Sequence, residues 1–430
     1  MIEPEAAPAA PLSAKKPTHF RWVILGLLFF ATTINYLDRN VMGILAPDLK
    51  TLFHISDIDY GLINGSFALA YAAGQLVSGA LMDIIGVHGG FAIALILWSA
   101  ASMLHALAGS ASGFRMARAF LGVAESPNFP ASTKTISEWF PRKERAFAFG
   151  FVNAGTNMGA LLAPAVVPWL AIKYGWQWAF IGTGGIGLIW LAFWLPLYRA
   201  PAAHPRVSPE ELAHIQSDPP EHSVKIPWLT LFTYREAWAF AIGKFLTDSM
   251  WWFYITWFPM FLNSNHKLDL QTIGKPLVII YLMADAGSIA GGWFSSSMIK
   301  RGASVNRARK TGLLICALAM FPVFFAQGIA SLWPAVIVMG IATAAHQGFS
   351  SNLYTLVSDM FPRQSVASVA GLGGTAGYIG AALFQPFVGW MVQTTHSYKW
   401  PFVCAASAYL LAFVVIQLLV PKITPPKSTA

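Results

Sequence analysis

Charged residues are what this sequence has least of. Asp, Glu, Lys and Arg make up 11% of its 430 residues, against 56% hydrophobic ones, where soluble domains carry about 25% charge. A soluble core has no use for so bare a surface. A chain embedded in lipid does, because a charge at the bilayer centre costs roughly 2.5–3.5 kcal/mol. Cysteine is nearly absent too, and Cys316 and Cys404 both lie in apolar runs, which argues against a disulfide. There is no HExxH pair, no GxSxG in a strand–turn–helix context and no Walker loop, so a membrane enzyme acting on lipid or headgroup substrates lacks its chemistry. No metal or cofactor site is expected. The net charge of +9 is spread over short loops between apolar runs rather than along one solvated face, which excludes nucleic acid as a partner. The first 20 residues hold no apolar core. They read as a disordered tail, not a cleaved signal peptide.

What the sequence does have is apolar runs of membrane-spanning length, about 20 residues each. Twelve are expected, the first at 22–44 and the last at 400–420. The fold class is therefore an all-α polytopic membrane protein whose solvent is the lipid bilayer. A polar, proline-rich stretch at 199–237 divides the spans, and a short surface helix is expected within it from Pro209 to Gln216. The resulting plan is a tail at 1–21, a six-helix half at 22–198, a linker at 199–237, a second half at 238–420 and a tail at 421–430. With the N-terminus inside, nineteen Lys and Arg fall on inner segments and five on outer loops. This positive-inside bias predicts that both termini are cytoplasmic.

The two halves repeat. Ser137-Glu-Trp-Phe-Pro-Arg142 recurs as Ser358-Asp-Met-Phe-Pro-Arg363, 221 residues later, and the same offset aligns Gly150 with Gly371 and Gly159 with Gly380. Two parallel six-helix halves, with a site at the midplane between them, are the natural reading. The offset also sets Glu125 on His346.

Ionisable residues at membrane depth are functional candidates by default. Arg39 shares a helix face with Tyr36 and Asn35. Its guanidinium can grip a carboxylate through two parallel hydrogen bonds, or it can pair with Asp38 or another acid to hold helices together. Arg118 and Glu125 stand seven residues apart, about 10.5 Å along a straight helix, too far for a direct pair. Either both line one cavity, with Glu125 carrying a proton and Arg118 tuning it, or they form static interhelical bridges. Pro127 and Pro130 are expected to break the helix just after Glu125. Asp38 is the second candidate proton carrier, or else a permanent partner of Arg118 or Arg39. Lys244 can pair with Asp248 one turn on, or contact an anion. Trp252 and Tyr254 are the aromatics favoured to stack on a ligand. The polar set Tyr71, Asn153, Thr156, Asn157, His346, Gln347, Ser350, Asn352, Thr375 and Tyr378 suggests a polyhydroxylated ligand, though such groups also serve as interhelical glue.

These motifs resemble the major facilitator superfamily. Gly79-Ala-Leu-Met-Asp83-Ile-Ile-Gly86 stands where that family has G-x-L-x-D-R-x-G-R-R, with Ile84 in place of the first basic residue. Asn35-Tyr-Leu-Asp-Arg-Asn40, Arg118 to Glu125 and Ser137 to Arg145 resemble the anion:cation symporter branch. Phe151-Val-Asn-Ala-Gly-Thr-Asn157, Gly175-Trp-Gln-Trp-Ala-Phe180 and the run from Lys244 to Pro259 are similar to bacterial hexuronate transporters. The resemblance implies a monomeric symporter of the bacterial inner membrane, importing glucuronate or galacturonate with a proton as coupling ion. It implies substrate contacts at Arg39, Lys244, the aromatics and the polar set, coupling through Asp38, Arg118 and Glu125, and gating at Asp83 and Arg145. The near alternative is another organic anion such as an aldonate (galactonate). A non-transporting membrane sensor of the same fold is more distant.

Overall fold

A computed structural model describes residues 18–218, 228–361 and 363–424. Most of the expected tail at 1–21, part of the linker and the last six residues lie outside them. The elements are α1 (Arg21–Phe53), α2 (Asp57–Ile85), α3 (Val87–Leu104), α4 (Ala111–Glu125), α5 (Asn128–Trp139), α6 (Arg142–Tyr174), α7 (Trp176–Leu197), α8 (Pro209–Ile215), α9 (Trp228–Leu231), α10 (Arg235–His266), α11 (Gly274–Lys300), α12 (Val305–Ala319), α13 (Leu332–Met360), α14 (Arg363–Thr395) and α15 (Lys399–Leu419), with short 3-10 turns between some of them. Among the described residues, eight helices are long and apolar enough to cross a membrane unaided. The other long segments are α1, the α4–α5 pair, α10 and α14. Three of these carry the buried charges Asp38 and Arg39, Arg118 and Glu125, and Lys244 with the half-buried Asp248, so a low-dielectric surround for them must come from neighbouring helices.

The repeat is visible in the backbone. Helices α6 and α14 are both 33 residues long and start 221 residues apart. Gly159 of α6 lies against Thr33 and Tyr36 of α1, and its counterpart Gly380 lies against Phe245 and Ser249 of α10. The symmetry fails at one place. The fourth span breaks between Glu125 and Asn128, where Pro127 and Pro130 interrupt the ladder, while α13 runs unbroken through His346.

The halves meet at the end of the bundle far from the linker. The amide of Ile58 donates to Gln393 (3.1 Å) and the Tyr60 hydroxyl to the Thr256 carbonyl (2.8 Å). Gly274 of α11 lies against the Pro164 carbonyl of α6. Backbone contact of this kind requires residues without side chains: a Cβ on Gly61 would stand 2.5 Å from the Gln385 carbonyl and 2.8 Å from Pro386 Cα. Gly61→Val is therefore expected to force this end apart. Spin-label distances between the ends of α2 and α14 should lengthen; unchanged distances would contradict the seal.

At the opposite end, α8 ties the linker to the first half. Ser208 caps the helix, and its oxygen accepts from the Glu211 amide (3.2 Å) and the Thr18 amide (3.3 Å). The buried Glu211 carboxylate accepts from the Thr18 hydroxyl (2.6 Å), the Phe20 amide (2.9 Å), and the amide and guanidinium of Arg21 (3.1 and 3.3 Å). Arg21 and His214 also meet Glu144, at 3.1 and 2.8 Å. Burial pushes Glu211 up, but the donors from Thr18, Arg21 and Phe20 outweigh it and hold the carboxyl below its ordinary value. A lowered value stabilises docking above the usual glutamate range of about 4.3, and that contribution is lost as pH falls through the lowered value. Glu211→Gln should raise proteolysis of the linker at neutral pH, while the wild-type linker should loosen only in acid. Equal cleavage of both proteins at pH 7 would refute the tie.

Candidate functional site

Helices α1, α2, α4, α10 and α14 converge on Arg39, which is 2% exposed. Its Nε and Nη2 both donate to Oε2 of the fully buried Glu125, at 3.0 and 2.8 Å. Nη2 also donates to Asn35 Oδ1 (3.1 Å), and Nη1 to the hydroxyl of Tyr378 (3.2 Å), a residue of the second half. Four rings enclose the guanidinium: Tyr36, Tyr71, Phe67 and Trp252, at 4.5, 4.9, 5.2 and 5.5 Å. Tyr71 stacks on Tyr378 across the interface, with ring centroids 4.1 Å apart. One cation thus joins an acid of its own half to an aromatic layer built by both halves.

Arg118 does not meet Glu125. Its Nη2 donates to the Arg39 carbonyl (3.1 Å) and to Asn64 Oδ1 (3.3 Å). Its Nε and Nη1, and Glu125 Oε1, have no hydrogen-bond partner among the described residues. Asp38 points the other way around α1, where it accepts from Ser102 of α3 at 3.2 Å and has Thr183 of α7 as a further polar neighbour. A buried ion pair with unsatisfied atoms gives little net stability, but it leaves acceptors and donors for a mobile species.

In the second half, Lys244 and Asp248 pair at 2.7 Å, and the ammonium lies 4.7 Å from the Tyr354 ring. His346 stacks on Trp251 (4.8 Å) and its Nδ1 shares a hydrogen bond with the Tyr409 hydroxyl (2.6 Å). Trp252 faces Phe67 and Tyr378, at 5.5 and 5.6 Å, and so lies at the junction of the halves. Asn153 and Asn157 share a helix stripe with Pro164, the residue that meets α11, and Thr156 turns back onto the Asn153 carbonyl (2.7 Å). Gln347, Ser350 and Thr375 are half-buried on α13 and α14.

Not every expected site residue is brought here. The Tyr254 hydroxyl donates to Met320 Sδ (3.8 Å), deep in the second half, because its ring packs on Phe258. Asn352 donates to the carbonyls of Gly291 and Gly348 (3.0 and 2.9 Å) and so bridges α11 and α13. Asp83 pairs with Lys134 (2.8 Å), and Arg145 holds the carbonyls of Phe140 and Ser137 and meets Asp218 (3.5 Å). Both of these contact sets lie within the first half and the linker.

Three groups went unrecognised from sequence. Phe67, Asn64 and Gln385 each complete a contact around Arg39, Arg118 or α10. Gln385 accepts from Thr256 and Trp257 at 3.0 and 2.7 Å. An amide in an apolar span was the available signal for it.

The profile of the Major Facilitator Superfamily matches residues 28–385 and 302–430. The hexuronate transporter of Escherichia coli strain K12 is 32% identical over 387 residues, covering 88% of this chain and 89% of that protein. The probable galactarate/D-glucarate transporter of the same organism is 28% identical over 430 residues, covering 94% and 96%. In fold, the chain superposes with a TM-score of 0.77, at 19% identity, on a bacterial homolog of the human lysosomal transporter Spinster, covering 94% of this chain and 97% of that one. With profile, sequence and fold in agreement, this chain belongs to the Major Facilitator Superfamily: it is a twelve-span membrane transporter of two six-helix halves, not an enzyme.

Proposed function

We propose that the chain imports a small sugar-acid anion, in the first place a hexuronate such as glucuronate or galacturonate, together with a proton. The reading rests above all on the Arg39–Glu125 pair, a cation held by an acid on a different helix at the junction of the two halves. A substrate carboxylate competes with Glu125 for the guanidinium fork. Glu125, deprived of its counter-ion in a low-dielectric site, takes up a proton. Proton and anion thus favour each other's binding by the same factor, which is the thermodynamic content of symport. The halves then rock about the site and expose it to the other side. Tyr36, Tyr71, Trp252 and Tyr378 offer ring faces and hydroxyls to the sugar, and Asn153, Asn157, Gln347, Ser350 and Thr375 offer further hydrogen bonds. Asp38, next to Arg39 on α1, is a second proton site, and Arg118 a positive charge on the helix of Glu125.

The positive-inside bias supports cytoplasmic termini in a bacterial inner membrane. The bundle would then be sealed on its outer side, and Asp83 and Arg145 would act at the inner mouth. Names of the relatives support a sugar acid as the class. An aldonate such as galactonate is the alternative within the same machinery.

The test is uptake of radiolabelled glucuronate, galacturonate and galactonate into proteoliposomes, with and without an inward proton gradient. Gradient-driven accumulation of a hexuronate is expected. Accumulation of galactonate alone replaces the substrate, and transport of none of them overturns the proposal.

A further inference from the structure

Two buried cations, one in each half, are balanced in different ways. Arg39 is held by Glu125, an acid on another helix. Lys244 is held by Asp248, four residues along its own helix. An i,i+4 pair is fixed by helix geometry, so it persists when the halves rock as rigid bodies. The pair between helices can part. Lys244 and Asp248 also have neighbours on α13 and α14. Tyr354 lies 4.7 Å from the ammonium, and at Gly377 a Cβ would stand 2.5 Å from Asp248 Oδ2. The next residue, Tyr378, is the one that accepts from Arg39. Arg39 and the Lys244–Asp248 pair thus contact neighbouring residues of α14, Tyr378 and Gly377.

A ligand whose carboxylate sits on Arg39 meets, at its far end, a unit of no net charge. That unit has ammonium hydrogens to donate and a carboxylate to accept, which suits hydroxyl groups. A second carboxylate gains from Lys244 about what it loses to Asp248, and must still shed its water. Such built-in repulsion is how sites reject near-identical ligands. Resting on the sugar-acid reading above, we propose that Asp248 sets the charge of the substrate: it selects acids with a single carboxylate and turns away dicarboxylic sugar acids. The question is open among the relatives, since one is named for hexuronate and another for galactarate and D-glucarate.

The experiment is exchange of labelled hexuronate by the full-length protein in proteoliposomes, competed by unlabelled glucuronate, galactonate and galactarate. In wild type, galactarate should compete at least about tenfold more weakly than the monoacids. Asp248→Asn frees Lys244 and should shrink that ratio by about tenfold. Lys244→Gln leaves the acid alone and should widen it. The double variant Lys244→Gln/Asp248→Asn has no net charge and should keep a preference for monoacids. Galactarate competing equally in wild type, an unchanged ratio in Asp248→Asn that still exchanges, or a narrowed ratio in Lys244→Gln would each overturn the proposal. If no monoacid competes at all, the sugar-acid reading has failed instead.

Discussion

Glu125→Gln is expected to abolish accumulation of substrate against its gradient while leaving exchange of internal for external substrate intact. The amide keeps the shape of the carboxyl group and can still accept a hydrogen bond from Arg39, but it cannot take or release a proton. Uptake driven by an inward proton gradient should fall to the equilibrium level. Counterflow, which needs no net proton movement, should continue. Its rate should even gain at alkaline pH, because Arg39 is no longer held by a charged competitor. Accumulation that survives in Glu125→Gln would move the coupling elsewhere, with Asp38 the first place to look, since it too is a buried acid.

Arg39→Ala should show the second large effect, on binding itself. Removing one partner of a buried, hydrogen-bonded charge pair costs about 2–5 kcal/mol, so affinity should fall by roughly thirtyfold or more. Arg39→Lys should restore little, because an ammonium offers no planar fork for a carboxylate and stacks poorly among four rings. The loss has a structural component as well. Without Arg39, Glu125 is left buried and uncompensated, which destabilises by about 3–5 kcal/mol unless the group protonates. The double variant Arg39→Ala/Glu125→Gln separates the two: melting temperature should recover relative to Arg39→Ala, but substrate binding should not. Recovery of both would reduce Arg39 to a structural role, and retention of binding in Arg39→Ala would remove the anchor.

What could be read from the sequence follows from what is local in it. The spans, the short helix at Pro209 and the break after Glu125 are set by runs of a few residues to about twenty, so composition and proline position were enough. The 221-residue repeat extended this reach, because it matched α6 to α14 over their full lengths. Partners were harder. Arg39, Asp38, Arg118 and Glu125 were all singled out, yet their pairing was left open, and Arg39 and Glu125 lie 86 residues apart. Only the fold, which brings Arg39 of α1 onto Glu125 of α4, decides that Glu125, and not the adjacent Asp38, is the counter-ion. Tyr254 and Asn352 were drawn in by residue type; the rotation of their helices, fixed by neighbours such as Phe258 and Gly291, turns them away. The Glu211 knot has a local signature in Ser208-Pro-Glu-Glu211, a helix start with its cap. Its partner Arg21 is 190 residues distant and had no such mark.

The central claim is that substrate and proton are linked through one guanidinium. The direct measurement is proton uptake when a hexuronate binds to the purified protein, by calorimetry in buffers of different ionisation enthalpy near pH 8. The account predicts about one proton taken up per anion bound, the same linkage appearing as a tenfold loss of affinity per pH unit, and neither in Glu125→Gln. Binding that takes up no proton in wild type, or the same uptake in Glu125→Gln, would contradict it.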